Sequence, residues 1–145
     1  MKMEDNKTGR DLKILIVEDD ETARNVTARY LSDYGECDIA PDGEVAMELF
    51  LESRAEGRPY NVIFLDILMP NMSGRKVLDR IRDIEDHEKI SERDRTKIII
   101  TSSLSDPSSI SGAFKSRCEG YLVKPFGRED LEKQLQSLDI IKSSS

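Results

Sequence analysis

Residues 14–20 read Ile-Leu-Ile-Val-Glu-Asp-Asp, an unbroken apolar run that ends in three acidic side chains. Apolar residues without polar alternation are typical of a short β-strand that is covered on both faces. The next residues change to helical spacing, and Asp20 can cap the predicted helix. The apolar stripe of this helix consists of Ala23, Val26, Thr27, Tyr30, Leu31 and Tyr34. The stretch therefore predicts a buried strand, an acidic strand end and an amphipathic helix in direct succession.

Four more short apolar runs follow along the chain, and we interpret them as strands. They occupy residues 37–40, 62–65, 98–100 and 121–123. The run at 37–40 contains Asp38 and is the weakest, which predicts an edge strand.

Helical stripes alternate with these runs. Two of them follow the potential cap residues Asp42 and Ser73, and a third follows Asp106-Pro107, where proline suits the first helical position. A fourth stripe lies near the end of the chain. The apolar residues of these four predicted helices are Val45, Ala46, Leu49 and Phe50; Val77, Leu78 and Ile81; Ile110, Ala113 and Phe114; and Leu131, Leu135 and Leu138. Fivefold βα alternation predicts an α/β fold with one parallel sheet, right-handed crossovers and helices on both faces.

Composition narrows the classes of function. The 145 residues fit one domain, and the net charge of −7 argues against direct binding of nucleic acid. Cys37 and Cys118 lie far apart without partnering histidines, so we expect buried free thiols and no zinc or redox site. No run approaches the roughly 20 apolar residues that cross a bilayer, and we expect a cytoplasmic protein without a membrane segment.

Polar residues stand at the carboxyl ends of the predicted strands, where ligands bind in open parallel sheets. Glu18 and Asp19 end the first strand, Asp66 the third, Thr101 the fourth and Lys124 the fifth. Crowded carboxylates need a compensating cation, either a divalent metal or the Lys124 ammonium. Hard oxygen ligands favour Mg²⁺ over zinc, with Mn²⁺ as a possible substitute.

A carboxylate beside Mg²⁺ can attack the phosphorus of a donor, which would give an aspartyl phosphate at Asp66. The hydroxyl of Thr101 can then donate a hydrogen bond to a phosphoryl oxygen and draw its own loop toward the site.

Four motifs in this order and spacing resemble the response regulator receiver family (CheY-like). They are Val-Glu-Asp-Asp at 17–20, Asp-Ile-Leu-Met-Pro at 66–70 with Gly74, Thr-Ser at 101–102, and Tyr-Leu-Val-Lys-Pro-Phe at 121–126. The resemblance runs from about Leu12 to Ile140. It implies a flavodoxin-like sheet of strand order 2-1-3-4-5, a receiver domain over 12–141, a flexible tail at 1–11 and a short tail at 142–145.

The resemblance also implies roles for single residues. Asp66 would be the phospho-acceptor, Asp19 a direct metal ligand, and Glu18 a ligand that acts largely through water. The backbone carbonyl of Leu68 would complete the protein's share of the metal site. Lys124 would bind the phosphoryl group.

The switch would involve Thr101 as the moving hydroxyl and Tyr121 as the aromatic side chain that turns inward, although Tyr121 can equally be a core or edge aromatic. Lys124-Pro125 resembles the family's cis peptide. The residues two beyond the acceptor and two beyond the switch hydroxyl are Leu68 and Ser103. Because the apolar Leu68 cannot orient water, we expect slow self-hydrolysis of the phosphoryl group.

The implied function is that of a signalling module, which catalyses only its own phosphorylation and slow dephosphorylation. It would take phosphate from a histidine kinase or phosphotransfer protein and pass the signal to an unknown downstream protein. The face of the fourth helix, fifth strand and fifth helix would make this contact, in a monomer or a phosphorylation-dependent dimer. We expect no output domain within these residues, and therefore either a stand-alone regulator or a piece of a larger protein.

Three other functions compete with this one. An aspartate-nucleophile phosphatase of the haloacid dehalogenase type would need a second Asp at position 68, which is Leu68. A nucleotide-binding protein is disfavoured because neither G-x-x-x-x-G-K nor G-x-G-x-x-G occurs. A non-phosphorylated pseudo-receiver would serve as a protein-interaction scaffold.

The charged stretch from Asp79 to Lys97 is longer than this connection usually is in the family and contains His87. We interpret it as a solvated helix end and loop, with a partner contact or a phosphorylated His87 as weaker alternatives.

Overall fold

Five parallel strands form one sheet of order β2-β1-β3-β4-β5 in the computed structural model, which describes residues 11–69, 72–103 and 117–141. The strands are β1 (Leu12–Val17), β2 (Gly35–Ala40), β3 (Val62–Asp66), β4 (Lys97–Ser102) and β5 (Gly120–Val123). The α/β fold class and the strand order 2-1-3-4-5 are thereby confirmed. The weakest strand, β2, lies at an edge as predicted.

Three helices begin at the caps that the sequence predicted. The helices are α1 (Glu21–Leu31), α2 (Gly43–Ala55) and α3 (Gly74–His87). Asp20 accepts from the Ala23 N–H at 2.7 Å, and Asp42 and Ser73 make the equivalent contacts at 2.9 and 3.3 Å. Each cap satisfies an N–H that has no partner within the helix.

A short 3-10 helix (Glu92–Asp94) follows α3, and the C-terminal helix spans Arg128–Ser137. The predicted helix with Ile110, Ala113 and Phe114 lies outside the described residues, as do most of the predicted tail at 1–11 and all of that at 142–145. No helix in the described part of the chain is long and apolar enough to span a membrane.

Helix α1 ends earlier than the apolar spacing predicts. Tyr34 lies beyond the helix end at Leu31, and its hydroxyl donates to Glu132 on the C-terminal helix. The chain turns here because β2 must approach β1 closely. A Cβ at Gly35 would lie 2.0 Å from the Leu12 carbonyl oxygen, so only glycine fits the start of β2.

The core lies on both faces of the sheet, as continuous apolar strands predict. Alternate side chains of β1 point to opposite faces: Leu15 and Val17 pack with α2 and α3, and Ile14 and Ile16 with α1 and the C-terminal helix. Cys37 and Cys118 form no disulfide and are half-buried, less than we expected.

The charged stretch after Asp79 is less solvated than predicted. Arg82 and Glu85 lie on the inward face of α3 and are only 4% and 1% exposed. Arg82 donates to Glu85, to both carboxylate oxygens of Glu119, and to the carbonyls of Thr96 and Arg117. Because every charge in this network has a partner, its burial is tolerated.

Candidate functional site

The predicted site residues meet at the carboxyl edge of the sheet. Glu18 directly follows β1, Asp66 is the last residue of β3, and Lys124 directly follows β5. Thr101 lies on β4 in register with Asp66 and is buried. The parallel register therefore brings side chains from four strands to one place.

Glu18, Asp19 and Asp66 form an acidic cluster. Each contributes one carboxylate oxygen to a group whose members all lie within 4.8 Å of one another. Glu18 and Asp66 are only 5% and 4% exposed, whereas Asp19 is exposed. Two buried carboxylates so close together repel each other and attract a cation.

Lys124 supplies one positive charge to this cluster. Its Nζ lies 2.5 Å from Glu18 Oε1 and 3.2 Å from Asp66 Oδ2. Its backbone N–H donates to the Ser102 carbonyl at 2.7 Å, and the Lys124-Pro125 peptide bond is cis. Lys124 thus bridges the ends of β1 and β3.

The charge balance of the cluster is set by burial and by the proximity of the acids. Burial, followed by the negative charge of Glu18, raises the pKa of Asp66 to about 6 against the opposing effects of Lys124 and the Leu68 N–H. Burial alone would lower the pKa of Lys124, but its hydrogen bond to Glu18 and the charges of both acids outweigh burial and raise that pKa. One ammonium therefore does not offset the cost of ionising Asp66.

The β3–α3 loop holds Asp66 by short-range contacts. The Leu68 N–H donates to Asp66 Oδ1 at 3.2 Å, and the Ile67 N–H donates to the Thr101 carbonyl at 3.1 Å. Gly74 donates back to the Ile67 carbonyl at 3.1 Å, and a Cβ at Gly74 would lie 2.2 Å from the Asp66 carbonyl oxygen. Only glycine allows α3 to begin this close to Asp66.

The donor set fits a magnesium ion. Carboxylate oxygens are the hard ligands that Mg²⁺ prefers, and three of them converge here with an excess of negative charge. The exposed position of Asp19 leaves one side of the cluster open to solvent, as Mg²⁺ requires because it keeps several waters.

Of the other predicted site residues, Leu68 and Ser103 lie beside this cluster, whereas Tyr121 does not. The Leu68 side chain is 59% exposed beside Asp66, and Ser103 is exposed just after β4. Tyr121 is half-buried on β5, in register with Ile100, and packs against the core cluster on the α2 and α3 face. Tyr121 therefore lies apart from the carboxylates, one strand beyond Thr101.

One residue at the site was missed by sequence reasoning. Arg24, on the first turns of α1, donates from Nη1 to the carbonyls of Asp19 at 3.2 Å and Glu18 at 3.4 Å. The signal was its spacing: an arginine four residues after a helix cap can fold back over the loop that precedes the helix.

Comparison with known proteins agrees with this geometry. The family model described as "Response regulator receiver domain" matches residues 14–136. Regulatory protein VanRB of Enterococcus faecalis is 30% identical over 128 residues, which are 88% of this chain and 52% of VanRB. The osmosensing histidine protein kinase SLN1 of Saccharomyces cerevisiae is 31% identical over 134 residues, 89% of this chain and 10% of SLN1. The chain thus spans about half or less of these relatives.

A solved structure resembles the fold over most of the chain. The response regulator receiver domain protein from Clostridium thermocellum superposes with a TM-score of 0.71 at 26% identity, and the match covers 90% of this chain and 94% of that one. Sequence, strand order and the acidic cluster lead to the same conclusion. The chain belongs to the response regulator receiver domain family.

Proposed function

We propose that the chain accepts a phosphoryl group on Asp66 in a Mg²⁺-dependent reaction, and that the phosphorylated form binds a downstream protein differently. The observation that carries this proposal is the meeting of Asp66, Glu18, Asp19 and Lys124 at one sheet edge. Asp66 is buried, and the exposed Asp19 lies beside it in the cluster.

The donor we propose is a phosphohistidine of a histidine kinase or phosphotransfer protein. An Asp66 oxygen attacks the phosphorus, the O–P bond forms as the P–N bond breaks, and the departing imidazole nitrogen takes up a proton. Glu18, Asp19, Asp66 and the Leu68 carbonyl would hold Mg²⁺, which when bound supplies positive charge opposite the phosphoryl oxygens. Such transfer would take place in the cytoplasm.

Lys124 has a defined part in this scheme. In the unphosphorylated protein its ammonium contacts Glu18 and Asp66. Phosphorylation adds acceptor oxygens and negative charge at Asp66, so Lys124 can move its contact from the carboxylate to the phosphoryl group without leaving the site.

The Thr101 hydroxyl, one strand away and in register with Asp66, would donate to another phosphoryl oxygen. Its movement and that of Tyr121 would alter the face made by β5, the C-terminal helix and the predicted helix that contains Ile110, which lies outside the described residues. We propose that the partner binds this face. Leu68, exposed and apolar, leaves attacking water unoriented, and we expect the phosphorylated form to last for minutes or longer.

Intact mass spectrometry after incubation with acetyl phosphate and Mg²⁺ tests the proposal. Wild type should gain the mass of one phosphoryl group, and EDTA should prevent this. Asp66→Asn should gain none, whereas the matched control Asp38→Asn, on β2 and away from the cluster, should react as wild type does. Equal labelling of Asp66→Asn would show that the acceptor is another residue, and no labelling of wild type would favour a scaffold role.

A further inference from the structure

The three carboxylates of the acidic cluster are held to different degrees. Asp66 accepts from the Leu68 N–H and Lys124, and Glu18 contacts Lys124 and accepts from the Asp20 N–H at 3.1 Å. Within the residues that the structure describes, the Asp19 carboxylate makes no hydrogen bond or ion pair. Its position therefore depends on the backbone that carries it.

Arg24 is the side chain that holds this backbone. Its Nη1 donates to the carbonyl oxygens of both Glu18 and Asp19, at 3.4 and 3.2 Å. Arg24 is half-buried, and its own N–H donates to the Asp20 carbonyl at 3.0 Å, so the guanidinium starts from a fixed helical turn. One side chain thus links the start of α1 to the two residues that end β1.

Helix energetics do not account for an arginine at this place. The N-terminal end of a helix carries partial positive charge, and a cation near it is mildly unfavourable. The carbonyl contacts offset this cost and orient the loop, as groups behind a metal ligand commonly do.

We propose that Arg24 is a positioning residue for the magnesium site, which it serves by fixing the Glu18–Asp19 backbone so that the Asp19 carboxylate faces the cluster. This inference rests on the proposed function, because it concerns the affinity of the same site for Mg²⁺.

Two physical effects of Arg24 predict opposite results, which makes the proposal testable. If Arg24 acted only through its charge, it would repel Mg²⁺, and its removal would strengthen binding. If Arg24 positions Asp19, its removal weakens binding. We expect Arg24→Met to weaken Mg²⁺ binding about tenfold. This is the lower end of the loss in metal affinity that follows removal of a residue behind a metal ligand, because both hydrogen bonds of Arg24 are long.

The experiment measures Mg²⁺ affinity by competition against Mn²⁺, with the free Mn²⁺ followed by its electron paramagnetic resonance signal. Arg24→Lys keeps the charge but lacks the guanidinium fork, so it should lose less Mg²⁺ affinity than Arg24→Met. If Arg24→Met does not fold, the Mg²⁺ affinity of Arg24→Lys tests the proposal. Arg29→Met, the same change on the exposed side of the same helix, should bind as wild type does.

Unchanged or tighter binding by Arg24→Met and Arg24→Lys, with wild type binding Mg²⁺ and Asp66→Asn binding it poorly, overturns the inference and leaves the proposed function intact. Wild type that binds no Mg²⁺ refutes the proposed metal site itself, and the inference with it.

Discussion

Replacing Asp66 by Asn should stabilise the metal-free protein. Burial and the charge of Glu18 raise the pKa of Asp66 from 3.8 to about 6, which means that the folded state resists its ionisation. The difference between these two pKa values corresponds to about 3 kcal/mol at neutral pH. Asn keeps the shape and removes the charge, and Lys124 keeps its contact with Glu18.

The expected gain is smaller than this limit because the buried amide of Asn needs partners of its own. We therefore expect the free energy of unfolding of Asp66→Asn to exceed that of wild type by about 1–2 kcal/mol in EDTA. Urea denaturation followed by circular dichroism measures this difference as a higher midpoint at unchanged slope.

Magnesium should narrow the difference in free energy of unfolding between wild type and Asp66→Asn, or make wild type the more stable protein. A ligand at ten times its dissociation constant stabilises the state that binds it by about 1.4 kcal/mol, and only wild type retains the full site. Asp38→Asn is the control, since Asp38 accepts from the Tyr60 hydroxyl at 2.7 Å and its replacement should not stabilise. Destabilisation by Asp66→Asn in EDTA would refute the idea that ionised Asp66 weakens the metal-free fold.

Three further predictions concern single residues. Lys124→Met should lower the free energy of unfolding in EDTA by about 2–3 kcal/mol, because two buried acids lose their cation. Mg²⁺ should stabilise this variant by more than it stabilises wild type. An unchanged free energy of unfolding in urea denaturation would contradict the prediction. Gly74→Ala should cost about 2–4 kcal/mol in the free energy of unfolding and slow labelling by acetyl phosphate. The control Gly127→Ala, whose Cβ meets nothing within 4 Å, should cost no more than about 1 kcal/mol as a change at the N-cap of the C-terminal helix, and should leave labelling unchanged. Burial raises the pKa of Cys37 to about 11, so its alkylation by iodoacetamide at pH 8 should be about 100-fold slower in the folded than in the urea-unfolded protein. The alkylation rate should keep rising above pH 9, and a plateau near pH 9 would be inconsistent with the raised pKa. Peptide mass spectrometry distinguishes Cys37 from Cys118.

Local features of the fold were readable from the sequence because their causes are local. A cap such as Asp20 or Ser73 acts on an N–H three residues away, and a continuous apolar run reports burial on both faces wherever it lies. The strand order came from the resemblance and not from periodicity, since periodicity does not say which strands pair. The convergence of Glu18, Asp66 and Lys124 followed from their positions at the carboxyl ends of predicted parallel strands, and the resemblance added their individual roles.

Long-range polar contacts were the part that sequence reasoning missed. Arg82 looked like one more charge on a solvated helix, but it pairs with Glu85 and with Glu119, 37 residues away, and these pairings explain its burial. Tyr34 followed the helical spacing of α1, but the helix stops first because Gly35 must begin the edge strand against Leu12. Arg24 was overlooked because its partners are backbone carbonyls, and its spacing after the Asp20 cap was the one sign of these contacts in the sequence.

A single guanidinium fastens the amino ends of two neighbouring strands to one helix. Arg82 reaches the Thr96 carbonyl just before β4 and the Glu119 carboxylate just before β5, and that carboxylate also accepts from the Ile98 N–H at 2.6 Å. The acidic cluster lies at the other end of the same sheet, and these contacts oppose sliding of β4 against β5. We therefore expect a disturbance at Asp66 to be taken up by side-chain rotation and loop adjustment near that edge.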